Sequence, residues 1–123
     1  MNVKKRGYLI ALLLLSGILI YFIGINLSSG WSYVKVNDKV YVANSYDFYE
    51  EISYKQIGAT QYKEPSFLKP MRNNGSNALP YGHSIYEGED DTEIFIKLGE
   101  SKYIKLVSID STENWKNGIK VKL

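Results

Sequence analysis

The residue types that most often perform chemistry are sparse in this sequence. It contains one histidine, His83, and no cysteine. Without cysteine there is no disulfide, no thiolate zinc site, no cysteine nucleophile and no lipid-modified cysteine. A serine–histidine–carboxylate system needs side chains that converge in space, and Ser84, next to His83, would point to the opposite face of a strand. We therefore interpret His83 as a turn residue and expect that the protein is not an enzyme.

The densest group of carboxylates lies between Glu87 and Glu93 and includes Glu89, Asp90 and Asp91. Several carboxylate oxygens converging at about 2.4 Å could bind Ca²⁺. However, the group lacks the residue order of an EF-hand loop, and no spacing singles out two carboxylates for acid–base catalysis. The sequence favours a solvated acidic turn over a calcium site and predicts neither a metal nor a cofactor.

An aromatic stretch interspersed with carboxylates is the strongest candidate for binding, and it consists of Tyr46, Phe48, Tyr49 and Tyr54. Tyrosine is enriched at the centre of protein interfaces because it combines a large area with a polar tip. The alternative is that these rings only complete the core of a small domain. The basic patches that accompany aromatic residues in single-strand nucleic-acid binding are absent.

These candidates follow an N-terminal segment of a different character. Three cations, Lys4, Lys5 and Arg6, precede an uncharged run over residues 8–25. As a helix, residues 7–27 would extend roughly 31 Å, which matches the hydrocarbon thickness of a bilayer, whereas the apolar part of a signal peptide has about 7–15 residues. We predict a transmembrane helix or uncleaved signal over residues 7–27. Cleavage after Gly30, which would release a secreted protein, is the alternative.

The distribution of charge predicts the topology. The next cation after Arg6 is Lys35, so residues 1–6 form a cytoplasmic basic segment and the C-terminal part is extracytoplasmic. Tyr8, Trp31 and Tyr33 are predicted to lie at the two membrane interfaces. Without the three N-terminal cations, 12 basic groups remain against 13 acidic ones, so the basic pI gives no indication of nucleic-acid binding.

The remaining chain is predicted to contain a linker at residues 28–32 and a β domain at residues 33–123. Apolar residues alternate with other residues at period two, which indicates strands. The predicted fold is a small antiparallel sheet that closes into a barrel or sandwich.

Two hairpins are predicted. Around Asn37-Asp38, an odd-length loop would keep all four flanking valines on one face, so we predict a three-residue bulged turn there. A three-residue loop over residues 99–101 would pair Ile96 with Ile104 and Ile94 with Leu106.

The other elements are predicted less sharply. Residues 46–52 could form one helical turn or an aromatic loop, residues 57–63 a strand, and residues 64–77 a long loop. Residues 84–87 are predicted as a short strand that turns into another over residues 92–98. Asn117-Gly118 is a hairpin signal before a final strand over residues 119–123.

Residues 77–86 read Asn-Ala-Leu-Pro-Tyr-Gly-His-Ser-Ile-Tyr. This run resembles a signature, Asn-x-Leu-Pro-x-Gly-Thr-x-Ile-Tyr, of small extracytoplasmic domains of Gram-positive bacteria, many of them lipoproteins. Their usual upstream hairpin, Val-Asn-Gly-Lys-x-Tyr-Val, is similar to residues 36–42. The chain departs in having His83 in place of threonine and no lipobox cysteine, which fits a protein anchor that replaces a lipid anchor. The resemblance implies location and a β fold, but no activity.

The run also has a structural interpretation. Pro80 fixes φ and Gly82 permits a positive φ, so together they would turn the chain into the strand that holds Ile85 and Tyr86. We favour this interpretation over a ligand-binding loop.

The sequence thus predicts a single-pass membrane protein that presents a small β domain outside the cell and binds a protein or peptide. A role of immunity or exclusion type would fit such a domain. A structural accessory subunit of a larger membrane complex and a cleaved secreted factor are the alternatives.

Overall fold

The computed structural model describes residues 3–110 and 118–121. A helix, α1 (Val3–Asn26), precedes eight strands. The strands are β1 (Tyr33–Val36), β2 (Lys39–Tyr49), β3 (Gln56–Ala59), β4 (Tyr62–Lys63), β5 (Gly75–Ser76), β6 (Ser84–Glu87), β7 (Glu93–Gly99) and β8 (Lys102–Ser108). Asn117 and residues 122–123, on which the last predicted hairpin depends, lie outside the described residues, and residues 118–121 are not a strand.

Helix α1 has 24 residues and extends roughly 36 Å. Its segment Val3–Phe22 has a mean hydropathy of 1.6, and none of that segment is buried against the rest of the protein. A helix that is apolar on all sides needs an apolar environment around it. This is a candidate membrane span, and it confirms the predicted N-terminal helix, which starts four residues earlier than expected.

The eight strands form one sheet in the order β3-β6-β7-β8-β2-β1-β5-β4, which curls strongly into a half-barrel. All neighbours are antiparallel except β4 and β5. The main core lies on one face of the sheet, and the predicted combination of an apolar helix with a mainly-β domain is confirmed. The core residues include Val34, Val36, Tyr41, Ile85, Ile94, Ile96, Ile104 and Leu106.

The two outer strands of the sheet, β3 and β4, are consecutive in the chain. The single strand predicted over residues 57–63 is therefore divided, because Thr60 and Gln61 leave β6 and lead to β5. Thr60 is fully buried, and its hydroxyl donates to the Pro80 carbonyl at 2.7 Å and accepts from the His83 amide at 2.9 Å. The Thr60 hydroxyl therefore satisfies one backbone carbonyl and one backbone amide of residues 80–83, beside the point where the strand is interrupted.

The prediction for the first hairpin was wrong. Val36 pairs with Lys39 across a two-residue turn in which Asn37 and Asp38 have φ of 49° and 65°, as a type I′ turn requires. The valines of β1 and β2 consequently face opposite sides. Both sides are buried here, because a second apolar cluster, which includes Tyr33, Val42 and Val107, lies on the face opposite the main core. The predicted three-residue loop assumed one buried face only.

The prediction for the second hairpin was correct in register. Ile96 pairs with Ile104 and Ile94 with Leu106. A bulge at Leu98, followed by pairing of Gly99 with Lys102, gives the same alternation as the predicted loop.

Elsewhere, β6 has the predicted bounds, and β7 starts one residue later than predicted. Residues 46–52 were predicted as a helical turn or loop, but β2 continues through Tyr49. The reason is β8, which provides partners for Phe48 and Tyr49 after an irregularity that begins at Ala43. Alternation in the sequence does not reveal such an interruption.

The predicted linker is part of the domain. The Asn77 side chain is 3% exposed; its Nδ2 donates to Ser28 Oγ and the Trp31 carbonyl, and its Oδ1 accepts from the Tyr33 amide. Tyr33 is 1% exposed and its hydroxyl lies 2.8 Å from Ser29 Oγ, so the prediction that its ring lies at the membrane interface was wrong. Trp31 is also partly buried, against the second apolar cluster.

The long loop predicted over residues 64–77 contains the short strand β5 and is held by specific contacts. Glu64 Oε1 accepts from Arg72 Nε at 2.8 Å, which raises the pKa of Arg72, and the guanidinium lies 4.0 Å from the centre of the Tyr62 ring. The Arg72 carbonyl accepts from the Gly75 amide. The loop is thus ordered by its own side chains as well as by its neighbours.

Candidate functional site

Three aromatic rings meet on the side of the sheet opposite the main core. Phe95 contacts Tyr54 in a stacked arrangement and Tyr49 in an edge-to-face arrangement, each with ring centres 5.3 Å apart. Phe95 is 4% exposed, whereas Tyr49 and Tyr54 are 38% and 36% exposed. We call Tyr49, Tyr54 and Phe95 the aromatic surface. Its buried ring supports two half-exposed tyrosines, an arrangement found at the centre of protein interfaces.

Three elements position these rings. Phe95 lies at the centre of β7, paired with Tyr86 on one side and Lys105 on the other. Tyr49 ends β2, where it pairs with Tyr103 and therefore faces the same side as Phe95. Tyr54 precedes β3, so the connection between β2 and β3 brings its ring onto Phe95.

The aromatic surface borders an open groove of about 330 Å³ that is acidic at its rim. Glu51, Glu89 and Glu93 line it together with Lys105. Lys105 Nζ lies 3.9 Å from Glu93 Oε2, so one of the three carboxylates is partly neutralised. Aromatic rings surrounded by excess negative charge can bind an apolar group that carries or adjoins a cation.

The structure separates the four predicted binding residues. Tyr49 and Tyr54 belong to the aromatic surface. Phe48 pairs with Ile104 on the opposite face of the sheet, and Lys102 Nζ lies 4.4 Å from the centre of its ring. Tyr46 is 64% exposed and is not among the residues that line the groove.

Phe95, on which the site is built, was not among the predicted residues. Its signal was present in the sequence, because it is an aromatic residue between Glu93 and Lys97 on the polar face of an alternating strand. A large apolar residue at such a position needs a cover from elsewhere in the chain. Alternation alone could not indicate that Tyr49 and Tyr54 provide it.

The acidic turn between β6 and β7 is organised by local bonds. Asp90 Oδ1 accepts hydrogen bonds from the Thr92 hydroxyl and amide, which lower the pKa of Asp90. Lys39 Nζ lies 3.2 Å from Asp91 Oδ2, and the Tyr41 hydroxyl donates to the Asp91 carbonyl. Burial is the main cause that raises the pKa of Tyr41. Within residues 3–110 and 118–121, no three potential ligands cluster in a way that could hold a metal ion.

Residues 77–86 have a structural role between β3 and β7. Gly82 has φ of 98°, and its amide donates to the Thr60 carbonyl at 2.8 Å. His83 Nδ1 lies 2.9 Å from the Lys97 carbonyl oxygen, a hydrogen bond in which Nδ1 carries the proton. The run therefore holds the divided strand and β7 together.

No protein-family model, curated protein or solved structure matches this chain. The assignment of a function thus depends on the residues and geometry described above.

Proposed function

We propose that the protein is a single-pass membrane protein whose β domain lies outside the cytoplasm and binds a protein or peptide through the aromatic surface. The observation that carries this proposal is the arrangement of Tyr49 and Tyr54 on the buried Phe95 ring, with an acidic rim. Such a surface fits a partner segment that combines an apolar or aromatic side chain with a neighbouring lysine or arginine.

The membrane part of the proposal is supported by α1 and by the charges around it. The helix is long and apolar enough to span, and Lys4, Lys5 and Arg6 lie at its N-terminal end. By the positive-inside rule, this end remains cytoplasmic. The resemblance of residues 77–86 to extracytoplasmic domains of Gram-positive bacteria agrees with this orientation.

Retention of the helix is supported by the contacts of the linker. Ser28 Oγ accepts from Asn77 Nδ2, and the Ser28 amide donates to the Phe67 carbonyl at 2.8 Å. Cleavage after Gly30 would remove both contacts and leave one donor of the buried Asn77 amide without this acceptor. An anchor that is kept is therefore the better proposal than a secreted factor.

Site-specific photocrosslinking in intact cells tests the binding role. A photoreactive phenylalanine analogue at position 49 or 54 should capture one discrete partner. The same analogue at position 81 should not, because Tyr81 is highly exposed but does not line the groove. Equal capture from position 81, or none from positions 49 and 54, would contradict the proposal.

The main alternative is an accessory subunit whose helix packs beside a larger membrane complex. It is supported by the apolar surface of Val3–Phe22, none of which is buried within the described part of the chain. Placing the photoreactive analogue at Leu14 separates the two roles. Capture from position 14 without capture from position 54 would favour the accessory subunit.

The orientation has a separate test, since the chain has no cysteine. A thiol introduced by Glu100→Cys should react with a membrane-impermeant reagent in intact cells, and one introduced by Val3→Cys only after permeabilisation. The reverse pattern would contradict the topology.

A further inference from the structure

One segment of the β domain is attached directly to the C-terminal end of α1. The Lys69 amide donates to the Asn26 carbonyl at 2.7 Å, and the Ser28 amide donates to the Phe67 carbonyl at 2.8 Å. Leu27 and Leu68 form an antiparallel bridge between these two bonds. Bridged residues lie about 5 Å apart, so residues 67–69 stay beside the end of the helix.

The height of this segment relative to a bilayer follows from the helix. The apolar run ends at residue 25 and the helix ends at Asn26, and Leu27 and Ser28 continue as non-helical chain. Asn26 to Ser28 therefore lie within about 8 Å of the end of the apolar run. The interfacial layer of one leaflet is about 5–8 Å thick. If α1 spans the bilayer, residues 67–69 lie at the level of the lipid headgroups.

The side chains of the segment suit that layer. Phe67 is 61% exposed and lines a groove with Ser28, whereas Met71 is 46% exposed and lines a second groove with Phe22 and Asn26 of the helix. Leu27 is 47% exposed. Large exposed apolar groups around the end of the helix are more typical of a contact surface than of a solvated loop.

The charges near the segment are mainly positive. Lys35 and Lys69 line a groove of about 280 Å³ together with Phe22 of the helix and Met71, and Lys35 Nζ also donates to the Met71 carbonyl. Among residues 3–110 and 118–121, no carboxylate lines this groove. One carboxylate, Asp110, shares a small adjoining cavity with Lys69. Lysines beside apolar groups at this height can bind lipid phosphates while their stems remain in apolar surroundings.

We propose that Phe67, Met71, Lys35 and Lys69 form a second membrane contact, which we call the juxtamembrane surface. Phe67 and Met71 enter the interfacial layer of the leaflet at the C-terminal end of α1, and the two lysines bind anionic headgroups. The contact fixes the orientation of the β domain on the bilayer. This inference rests on the spanning helix of the proposed function.

Depth-dependent quenching in vesicles tests the inference. The full chain is reconstituted, and single-cysteine variants with a polarity-sensitive fluorophore are quenched by lipids that carry a nitroxide near the headgroup. Labels at Phe67→Cys and Met71→Cys should be quenched several-fold more than one at Glu100→Cys. Glu100 lies in the β7–β8 turn, whereas Ile109, which directly follows β8, lines the groove that contains Lys35 and Lys69. The seven residue steps from Lys102 to Ile109 extend about 23 Å.

A fourth label, at Leu14→Cys, separates failure of this inference from failure of the anchor. It should be quenched by a nitroxide placed deep in the acyl chains. Deep quenching at position 14 without shallow quenching at positions 67 and 71 overturns the juxtamembrane surface and leaves the anchor intact. Absence of quenching at all three positions overturns the anchor as well.

The role of the lysines is tested by changing the headgroup charge of the nitroxide-labelled lipid and measuring the quenching of the fluorophore at position 67. Nitroxide-labelled phosphatidylglycerol should quench it more than labelled phosphatidylcholine. Lys69→Gln should lower that preference by up to about fivefold, which corresponds to one cation near an anionic surface. Equal quenching by the two lipids overturns the binding of anionic headgroups.

Discussion

The aromatic surface and the juxtamembrane surface belong to the same small domain but differ in charge and construction. The aromatic surface combines rings with Glu51, Glu89 and Glu93, whereas the juxtamembrane surface combines Phe67 and Met71 with lysines. The nearly neutral domain thus separates its charges between two regions.

This difference indicates a division of tasks. An anionic membrane attracts the basic region and repels the acidic one. We expect the domain to lie with the juxtamembrane surface against lipid and with the aromatic surface available to a partner.

The largest effect is expected for Phe95→Ala. The substitution removes a buried ring and the support of two tyrosines, and should lower the free energy of unfolding by about 4 kcal/mol. Chemical denaturation of the full chain in detergent measures this change. Tyr81→Ala is the matched control, with an expected change within about 0.5 kcal/mol because the ring is exposed. Similar losses in both variants would contradict the structural role of Phe95.

Asn77→Ala should have the next largest effect and should act on the other region. It leaves the Tyr33 amide and the Trp31 carbonyl without their partner, which should cost about 3 kcal/mol. It also releases the linker, so the headgroup-level quenching of a label at position 67 should fall. Asn73→Ala, which affects an exposed side chain bonded to Asp38, should cost about 0.5 kcal/mol and leave the quenching unchanged.

Tyr54→Ala should change binding far more than folding. Its ring is half-exposed and stacks on Phe95, so the loss of stability should be about 1 kcal/mol. Capture of a partner from position 49 should nevertheless be lost. Tyr46→Ala should affect neither stability nor capture. If Tyr46→Ala abolished capture instead, the binding site would lie elsewhere on β2.

The smallest effect concerns pH. Hydrogen bonds from Thr92 lower the pKa of Asp90 below its ordinary value of 3.8. A lowered pKa in the folded state contributes stability above pH 3.8 that is lost as the pH falls through the lowered value. Thr92→Val removes the hydroxyl bond, retains the amide bond and should raise the pKa of Asp90 toward 3.8, as measured by NMR titration. An unchanged pKa would show that the hydroxyl has no such effect.

Local patterns predicted several elements correctly. The helix was predicted from an apolar, uncharged run, in which a helix satisfies every backbone hydrogen bond internally. The β7–β8 register was predicted from the alternation of isoleucine and leucine with other residues along both strands. The predictions failed where a segment distant in the sequence packs against the predicted element. Tyr33 was expected at the membrane, but Val42 and Val107 from other strands bury it.

The candidate site was predicted in part. Tyr49 and Tyr54 were identified from their residue type, but Phe48, adjacent to Tyr49, faces the other side of the sheet because β8 continues its pairing with β2. Phe95 was missed because its role depends on residues more than forty positions away. Residue type thus indicates candidates, and strand pairing selects among them.

The sequence alone determined the apolar helix, its flanking charges and most of the strands, because these depend on neighbouring residues. Tertiary structure decided which aromatic rings form a surface. It also decided that the strand predicted over residues 57–63 is divided at Thr60, and that the predicted linker joins the domain through Asn77. These features depend on hydrogen bonds and packing between segments far apart in the chain, and the local periodicity of apolar residues carries no information about such contacts.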